Sequence, residues 1–423
     1  MKDTLNVGLI GLGTVGKSVV KLWPRARGLV LKKVADKDRN TARGVKLEKG
    51  VFTTRVEDIL NDPEIDIVIE LIGGVEAAYE YIKKSLARGK NVVTANKALL
   101  ALKGEELERI ARAHGCYLAY EASVCAGIPI IRSIREGLIA NKIKSIYGII
   151  NGTTNFILSA MEEKGLDFKD ALSQAQAQGF AERNAFLDIG GLDSQHKLAI
   201  LVRLAFKTRV RLADIYVEGI RKITSRDITY ASELGYRIKL LAIAKEGEGG
   251  LEARVHPTLI PKDNLLSSVR GIHNACFVEG DACGKMVFYG QGAGGLPTAS
   301  AILSDCLDIA RCLREGRKES FSVSVNKKTR LKKIDELLTR YYLRFFVIDK
   351  PGVFAQISGI LGRCGISIAS VIQKERGGSK VVPIVIMTHE AKESNMRRAM
   401  RAINALKVVK PKSFFIRVEE FED

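Results

Sequence analysis

The sequence predicts an α/β protein that begins with a doubly wound parallel sheet. Over residues 1–135, short apolar runs alternate with helical stretches, which is typical of such a sheet. A glycine-rich turn follows the first run, and the pattern changes beyond residue 135. The runs are Val7–Ile10, Leu29–Ala35, Ile65–Leu71, Asn91–Thr94 and Tyr117–Tyr120, with helical stretches such as Ala77–Ala87 and Glu105–Ala113 between them.

The remainder of the chain predicts two further domains. Residues 136–325 mix helix and strand signals, including a helix at Ser194–Phe206, and predict an α+β domain. The polar stretch Arg314–Lys333 predicts a linker. Residues 340–423 predict the order βαββαβ of a ferredoxin-like domain. Its elements are a strand at Tyr342–Ile348, a helix at Val353–Cys364, strands at Ser367–Lys374 and Val381–Thr388, a helix at Lys392–Ala405 and a strand at Ser413–Val418.

Composition indicates a globular protein and excludes some classes of function. The chain has 423 residues, of which 46% are hydrophobic and 27% charged. No apolar run approaches the ~18 residues of a membrane span, so we expect a cytoplasmic protein without a membrane segment or leader. The net charge of +19 comes without a nucleic-acid-binding motif, so we expect no nucleic-acid partner. The seven cysteines have no paired spacing and are expected to be reduced.

The glycine-rich turn predicts a Rossmann nucleotide site. Gly11 permits a tight turn, Gly13 lets the backbone approach a pyrophosphate, and Gly16 allows close packing of helix on strand. Thr14 and Val15 complete the motif and lead into a helix at Lys17–Leu22. The N-terminus of that helix favours an anion.

The type of nicotinamide cofactor stays open at this point. Asp36 ends the second strand, where a carboxylate accepts a hydrogen bond from the ribose 2′-hydroxyl of NAD. Lys37 and Arg39 follow directly, and basic groups there can hold the 2′-phosphate of NADP. The sequence therefore predicts NAD or NADP without choosing between them.

Six motifs, the glycine-rich turn among them, carry a resemblance to a known family. They are Gly-Leu-Gly-Thr-Val-Gly at 11–16, Thr-Ala-Asn-Lys-Ala-Leu-Leu-Ala at 94–101, Glu-Ala-Ser-Val-Cys-Ala-Gly-Ile-Pro-Ile at 121–130, Asn-Gly-Thr-Thr-Asn at 151–155, Gln-Gly-Phe-Ala-Glu at 178–182 and Asp-Ile-Gly-Gly-Leu-Asp-Ser-Gln-His-Lys at 188–197. Along nearly its whole length, the chain resembles the homoserine dehydrogenases. The resemblance implies reversible NAD(P)H-dependent reduction of L-aspartate 4-semialdehyde to L-homoserine, in threonine, methionine and isoleucine biosynthesis, by a dimer or tetramer.

Two lysines and three carboxylates are the candidate catalytic and substrate-binding residues. Reduction of an aldehyde builds negative charge on oxygen, so a proton donor must be placed there. Asp193 and Lys197 are four residues apart and share one helix face. The resemblance implies that Lys197 is the proton donor and that Glu182, Asp188 and Asp193 line the pocket for the substrate ammonium. Lys97 follows a strand at the carboxyl end of the sheet, where ligands bind.

The resemblance also implies further cofactor contacts. Thr94 and Asn96 lie beside Lys97, and Gly179 precedes Glu182. Gly292 and Gly294 belong to a second glycine loop that approaches the cofactor in the family. His196 is expected to be structural because it points away from Lys197 on a helix. The sequence departs from the family at Arg183-Asn184-Ala185-Phe186, where Ala-Asp-Pro-Thr is common.

A monovalent cation is a further implication of the resemblance. Sodium would be bound by the Glu121 region and by the carbonyls of Val124, Ala126 and Ile128, and hard cations prefer such oxygens. Cys125-Ala126 replaces a common Ala-Gly in this loop, and leaves the carbonyls in place. A glycine-bearing loop without a metal is the alternative.

The C-terminal domain resembles an ACT domain, through Asp349-Lys350-Pro351-Gly352-Val353-Phe354 and the order of its elements. Pro351 fixes the turn, and Gly352 lets a ligand approach the backbone. Asp349 would accept the ammonium of an amino acid whose carboxylate lies at the following helix N-terminus. The resemblance implies threonine as a feedback inhibitor, whereas a purely structural dimerisation module is the alternative.

Two other functions are compatible with parts of the sequence. Another amino-acid semialdehyde dehydrogenase would oxidise an aldehyde through a nucleophilic cysteine, and Cys125 is the cysteine near a plausible site. A non-catalytic, amino-acid-sensing protein could combine a Rossmann domain with an ACT domain. The presence of both Lys97 and Lys197 argues against this second alternative.

Overall fold

The computed structural model describes residues 4–38, 44–317, 329–373, 381–410 and 413–421. The chain packs as two compact units, and neither is continuous in sequence. The first unit consists of Met1–Lys144, His196–Leu212 and Asn274–Thr329, and the second of Ser145–Gln195, Ala213–His273 and Arg330–Asp423. The domain ranges 1–135, 136–325 and 340–423 stay predictions about where the chain divides.

The strands of the described residues are β1 Leu5–Ile10, β2 Leu29–Ala35, β3 Phe52–Thr53, β4 Ile65–Glu70, β5 Asn91–Thr94, β6 Leu118–Ala119, β7 Ile143–Ile149, β8 Tyr216–Val217, β9 Tyr236–Gly247, β10 Gly250–Pro261, β11 His273–Gly280, β12 Gly284–Gln291, β13 Leu338–Ile348, β14 Ile368–Ile372, β15 Val381–Thr388, β16 Ala391–Lys392 and β17 Phe414–Val418. The α-helices are α1 Thr14–Leu22, α2 Glu57–Leu60, α3 Glu76–Ala87, α4 Lys97–Ala113, α5 Ile130–Arg132, α6 Gly152–Lys164, α7 Phe168–Ala177, α8 Phe186–Ile189, α9 Leu192–Phe206, α10 Ser225–Glu233, α11 Gly295–Arg314, α12 Val353–Arg363 and α13 Glu393–Asn404. Among these helices, none is long and apolar enough to cross a bilayer.

The sheet of the first unit has the predicted doubly wound topology. Its order is β3-β2-β1-β4-β5-β6, and the strand pairs run parallel. The strand order reverses beside β1, and in such folds ligands bind in the crevice outside the carboxyl ends of the strands at this point. The Rossmann fold expected from the glycine motif is confirmed.

A helix from far along the chain completes the core of the first unit. Helix α11 packs on α1, and Ile302, Cys306 and Ile309 of α11 are buried in one cluster with Val7 and Ile67 of the sheet. The sequence pattern shows that this helix has a buried face, but it does not indicate which sheet the face covers. The structure therefore joins segments that lie hundreds of residues apart.

The second unit contains the predicted βαββαβ order, in a sheet that extends beyond the C-terminal elements. Strands run in the order β7-β9-β10-β17-β13-β15-β14. Strands β9 and β10 form a long antiparallel hairpin, and β10 pairs in parallel with β17 through Thr258 with Arg417 and Leu259 with Val418. One face of the C-terminal strands is covered by α12 and α13, whose apolar residues form a separate core with β13 and β15.

Buried ion pairs tie these C-terminal elements to the rest of the second unit. The Arg417 guanidinium bonds the Glu393 carboxylate of α13 and lies 3.0 Å from the Glu218 carboxylate just after β8. Arg344 of β13 binds the buried carboxylate of Asp227 on α10, with Nε 2.6 Å from Oδ1. Glu393 and Asp227 are fully buried, so each charge depends on its arginine partner.

Part of the predicted linker, Arg314–Lys333, belongs to the folded units. Helix α11 ends at Arg314, and residues 318–328 lie outside the described residues. Within the second unit, the Lys332 amide donates to the Leu251 carbonyl at 2.9 Å, and the Leu251 amide donates to the Arg330 carbonyl. Residues 330–332 thus pair with the start of β10. This pairing satisfies backbone amide and carbonyl groups at that edge of the sheet.

Candidate functional site

The glycine motif lies between β1 and α1, at the carboxyl edge of the sheet. Gly11 has φ +99°, and a Cβ there would lie 2.7 Å from the Leu71 carbonyl oxygen. A Cβ on Gly16 would lie 2.2 Å from the Gly11 carbonyl oxygen, whereas one on Gly13 would meet open space. The turn thus requires glycine at two positions for packing, and it leaves the backbone at Gly13 accessible to a pyrophosphate.

Asp36 is connected to this turn. Its Oδ2 accepts a hydrogen bond from the Leu12 amide at 2.7 Å, and its Oδ1 accepts one from the Asp38 amide at 3.0 Å. The carboxylate therefore lies at the end of β2 beside the glycine turn, as a ribose-binding carboxylate must. Arg39, the second basic residue that could hold a 2′-phosphate, lies outside the described residues.

A buried glutamate organises the segment around Lys97. Glu70 ends β4 and is buried, which raises the pKa of its carboxyl. Its oxygens accept hydrogen bonds from the Thr94 hydroxyl and the Ile72 amide, both at 2.8 Å. The Thr94 Oγ1 in turn accepts from the Asn96 amide, and Asn96 caps α4, which Lys97 begins. The three predicted residues 94, 96 and 97 are thereby fixed together.

Lys197 lies near a pair of thiols in the first unit. It is buried on α9, as is Asp193, so these two charged residues do not lie on the protein surface. The Cys125 and Cys276 sulfurs are 3.9 Å apart. A hydrogen bond with Cys125 and burial raise the pKa of Cys276 well above its ordinary range, and the nearby Lys197 charge opposes this rise. Because its thiol pKa is raised, Cys276 is poorly suited to act as a nucleophile.

The loop that carries the predicted sodium ligands packs against the second glycine loop. The Gly127 amide donates to the Gln291 carbonyl at 3.0 Å, and a Cβ on Gly292 would overlap the buried side chain of Asn274. Both oxygens of Glu121 accept amide hydrogen bonds, from Ile131 and Arg132 at 2.9 and 2.8 Å. The Glu121 carboxylate thus holds the start of α5. Because both of its oxygens already accept hydrogen bonds, a cation in this loop would be bound mainly by backbone carbonyl oxygens.

Two of the predicted substrate carboxylates are joined by one amide in the second unit. Asn151 Nδ2 donates to Asp188 Oδ1 at 2.7 Å and to Asp193 Oδ2 at 2.9 Å. Asn151 and Asp193 are buried and Asp188 is half-buried. The sequence marks Asn151 only as a member of the motif at 151–155. An asparagine directly before a helix is an N-cap signal, but nothing in sequence shows that its amide faces these two carboxylates.

The loop around Glu182 is held by α6 and α7. Thr153 Oγ1 donates to the Phe180 carbonyl at 2.6 Å, and the Gln176 side-chain amide donates to the Glu182 carbonyl at 3.2 Å. Gly179 has φ +74°, and a Cβ there would meet no atom of the described structure. The Glu182 side chain is exposed, unlike Asp193. The loop thus presents Glu182 and Gly179 at the surface of this unit.

A buried lysine supports the other side of α6. Lys239 Nζ donates to Asn155 Oδ1 at 3.0 Å and to the Val269 carbonyl. Asn155 Nδ2 donates to the carbonyls of Val269, Gly271 and His273, which fixes this loop against the helix. Burial lowers the pKa of Lys239 to about 7.

The regulatory residues predicted in the ACT-like region lie at the start of α12. Gly352 is the N-cap residue of α12, has φ +81° and is exposed, and a Cβ there would meet no described atom within van der Waals range. Asp349 is half-buried in the same turn. The conformation requires glycine, and the turn leaves room for a ligand beside the helix N-terminus.

Comparison with known proteins gives consistent matches along the chain. Family models match at residues 11–121 ("Homoserine dehydrogenase, NAD binding domain"), 129–307 ("Homoserine dehydrogenase") and 341–408 ("ACT domain"). A homoserine dehydrogenase of Helicobacter pylori is 44% identical, with 99% of this chain and 100% of that protein covered.

Solved structures extend the likeness to the fold. The crystal structure of a homoserine dehydrogenase from Thiobacillus denitrificans has a TM-score of 0.92 at 42% identity, covering 99% of this chain and 98% of that one. A hyperthermophilic archaeal homoserine dehydrogenase in complex with NADPH has a TM-score of 0.63 at 26% identity, covering 73% of this chain and 98% of that one.

The pKa of Lys239 leads to a prediction about stability. Below pH 7 the folded and unfolded states both bind the proton, whereas between pH 7 and the ordinary lysine pKa of ~10.4 only the unfolded state does. The free energy of unfolding should therefore rise with pH in this window, by at most ~1.4 kcal/mol per unit. Urea unfolding at several pH values should show wild type gaining stability over Lys239→Met as pH rises.

Lys164→Met is the matched control, since Lys164 is an exposed lysine at the end of α6. Its stability difference from wild type should stay constant across the same pH range. A constant difference for Lys239→Met as well would show that this lysine is charged in the folded protein.

Proposed function

Because this chain belongs to the homoserine dehydrogenase family, an NAD(P)-dependent oxidoreductase that interconverts L-aspartate 4-semialdehyde and L-homoserine, we propose specific roles for its residues in that reaction. The observation that carries the assignment is the burial of Asp193 and Lys197 one turn apart on α9. Buried charges on one helix face are retained when they bind a charged ligand or one another.

Lys197 is the proposed acid–base group. Bound reduced nicotinamide supplies the hydride that the aldehyde carbon accepts. The Lys197 ammonium donates a proton to the aldehyde oxygen as the new C–H bond forms, so the product is a neutral alcohol and the lysine is left as an amine. In the reverse direction the amine takes the hydroxyl proton. Such a group contributes ~10²–10⁴-fold to the rate.

The carboxylates are proposed to bind the amino-acid part of the substrate. Asp188 and Asp193, joined by Asn151, provide two negative charges for the substrate ammonium, and Glu182 adds a third from its exposed loop. Lys97 begins α4, where its ammonium can bind an anionic group near the cofactor. This pair of carboxylates, one buried and one half-buried, would explain selection of an amino-acid aldehyde over a simple aldehyde.

The cofactor is proposed to lie along the carboxyl edge of the first sheet. Gly11, Gly13, Thr14, Val15 and Gly16 would hold the pyrophosphate, and Asp36 the adenosine ribose. Thr94, Asn96 and Lys97 would lie near the nicotinamide, and Gly292 and Gly294 would contact the cofactor as well. Gly179 is proposed as a cofactor contact from the family resemblance alone. The accessible backbone at Gly13 and the connection of Asp36 to the turn support this placement.

Other features of the family are proposed for this chain as well. Sodium would be bound by the carbonyls of Val124, Ala126 and Ile128, with the Glu121 carboxylate holding the loop in place. We also propose a homo-oligomer, a dimer or tetramer as in the family. A cytoplasmic location is proposed because the seven cysteines, all among the described residues, form no disulfide, as expected in a reducing compartment.

Threonine is the proposed effector of the ACT domain. Asp349 would accept its ammonium, and the start of α12 at Gly352 would hold its carboxylate. A physical connection to the substrate carboxylates supports inhibition. Arg417 of β17 binds Glu218, and a Cβ on the next residue, Gly219, would lie 2.1 Å from the carbonyl oxygen of Ile189, beside Asp188. A shift in the ACT strands can therefore reach this segment, provided threonine binds two states of the enzyme unequally.

The experiment that tests the acid–base role is replacement of Lys197 by Met. We expect the turnover number for homoserine oxidation, followed by absorbance of reduced nicotinamide, to fall at least ~10²-fold because the proton carrier is lost. NADPH affinity, measured by fluorescence titration, should be retained. Lys164→Met is the control on an exposed helical lysine. Near-normal turnover in Lys197→Met would contradict the assignment.

Replacement of Asp36 by Ser tests the cofactor placement. The ribose 2′-hydroxyl of NAD donates to this carboxylate, whereas the 2′-phosphate of NADP cannot, so the KM for NAD should rise about tenfold more than that for NADP. Asp38→Ser is the control, since Asp38 is an exposed acid two residues along. Equal losses for both cofactors would indicate that Asp36 only supports the glycine turn through Leu12.

Replacement of Gly352 by Asp tests the threonine site. The new carboxylate would occupy the position proposed for that of threonine, so inhibition by millimolar threonine should disappear while turnover without threonine is kept. Gly365→Asp is a matched control, because Gly365 has a similar φ of +72° elsewhere in the same domain. If wild type shows no change in activity or melting temperature with threonine, the effector assignment is wrong.

A further inference from the structure

Beyond the residues proposed to touch the substrate, we infer that Asn151 is a positioning residue for the reaction. Its side-chain amide holds Asp188 and Asp193 together as a doubly negative pair for the substrate ammonium. This inference rests on the proposed function, which assigns the ammonium to these carboxylates. The amide itself acts only through Asp188 and Asp193.

The orientation of the Asn151 amide is determined by its neighbours. Both carboxylate oxygens are acceptors, so the group that faces them must be the NH2, and each of its two hydrogens serves one carboxylate. The opposite atom, Oδ1, accepts the Thr154 amide at 2.8 Å and the Thr154 hydroxyl at 3.0 Å. The side chain therefore makes a full set of hydrogen bonds in a single rotamer.

A neutral bridge preserves the charge that the substrate needs. Two carboxylates brought together repel each other, more strongly where burial excludes water. A lysine or arginine between them would relieve the repulsion but would also cancel the negative field that attracts an ammonium group. An amide gives each carboxylate one hydrogen bond and adds no charge, so the bridge holds the pair close without reducing its negative charge. Asparagine is thus better suited to this position than a cationic residue.

The bridge stands on a rigid base. Asn151 is the N-cap of α6, and a Cβ on Gly152 would lie 2.6 Å from the Ile272 carbonyl oxygen, so the helix start packs directly on that loop. Asn155, one turn along, is bonded to three carbonyls of residues 269–273 and to Lys239. The amide is therefore preorganised, and the carboxylates adapt to it.

Exchange of the amide donors, with the helix cap retained, tests the inference. Serine and aspartate are good N-cap residues, but neither donates two hydrogen bonds to carboxylates at neutral pH. We expect Asn151→Ser to raise the KM for homoserine about tenfold, the usual loss for hydrogen bonds to charged groups. Asn151→Asp should raise it further, and the increase should shrink as pH falls because a protonated carboxyl donates again. The Kd for NADPH should stay near wild type, whereas the melting temperature should fall, and more for Asn151→Asp because it places a third carboxylate beside the other two.

The control is Asn264→Asp, at another asparagine N-cap, whose side chain accepts the Leu266 amide. It should leave the KM for homoserine unchanged. If both Asn151 variants keep that KM within about twofold, or raise it no more than the Kd for NADPH, Asn151 is only a helix cap and the inference is overturned.

Asp193→Asn separates this inference from the proposed function. If it leaves the KM for homoserine unchanged, both ideas fail, since Asp193 then does not bind the ammonium. If it raises the KM and Asn151→Ser does not, only the positioning role fails. In the expected case, Asn151→Ser should have a smaller effect in the Asp193→Asn background than alone, because the two residues act as one unit.

Discussion

The first turn of α6 is the point from which the second unit is organised. Consecutive residues of this turn each fix a different segment: Asn151 holds the two aspartates, Gly152 lets the loop before β11 approach, and Thr153 binds the loop of Gly179 and Glu182. Asn155 and Lys239 close the network on the far side. The bonds of Asn151 to Asp193 and of Lys239 to Asn155 join buried polar groups, so losing either bond would leave a buried partner unsatisfied, at a cost in stability.

In the first unit, too, single residues fix neighbouring segments, here at the carboxyl edge of the sheet. Close backbone approach at Gly11 and Gly16 fixes the turn, and Asp36 ties that turn to the end of β2. Glu70, buried at the end of β4, connects Thr94 and thereby Asn96 and the start of α4. The residues that end β2 and β4 therefore each hold a neighbouring loop in place. Such contacts give the loops at the carboxyl edge of a parallel sheet a defined conformation.

The C-terminal elements share a sheet with the middle of the chain rather than forming a tethered module. Strand β17 pairs with β10, and Arg417 contributes to two carboxylates from different segments. Such pairing gives the ACT region a stiff connection to the residues next to Asp188, through Glu218 and Gly219. A flexible linker could not transmit a small displacement in this way.

The sequence by itself determined the Rossmann topology, the βαββαβ order, the family and the identity of most candidate site residues, because glycine spacing, apolar periodicity and charged motifs are local signals. Tertiary structure decided which distant segments meet. It placed α11 on the N-terminal sheet, paired β10 with β17, buried Glu70 and Lys239, and turned the Asn151 amide towards two aspartates. A residue's type limits the bonds it can make, but its partners come from packing between segments far apart in sequence, which no local pattern specifies.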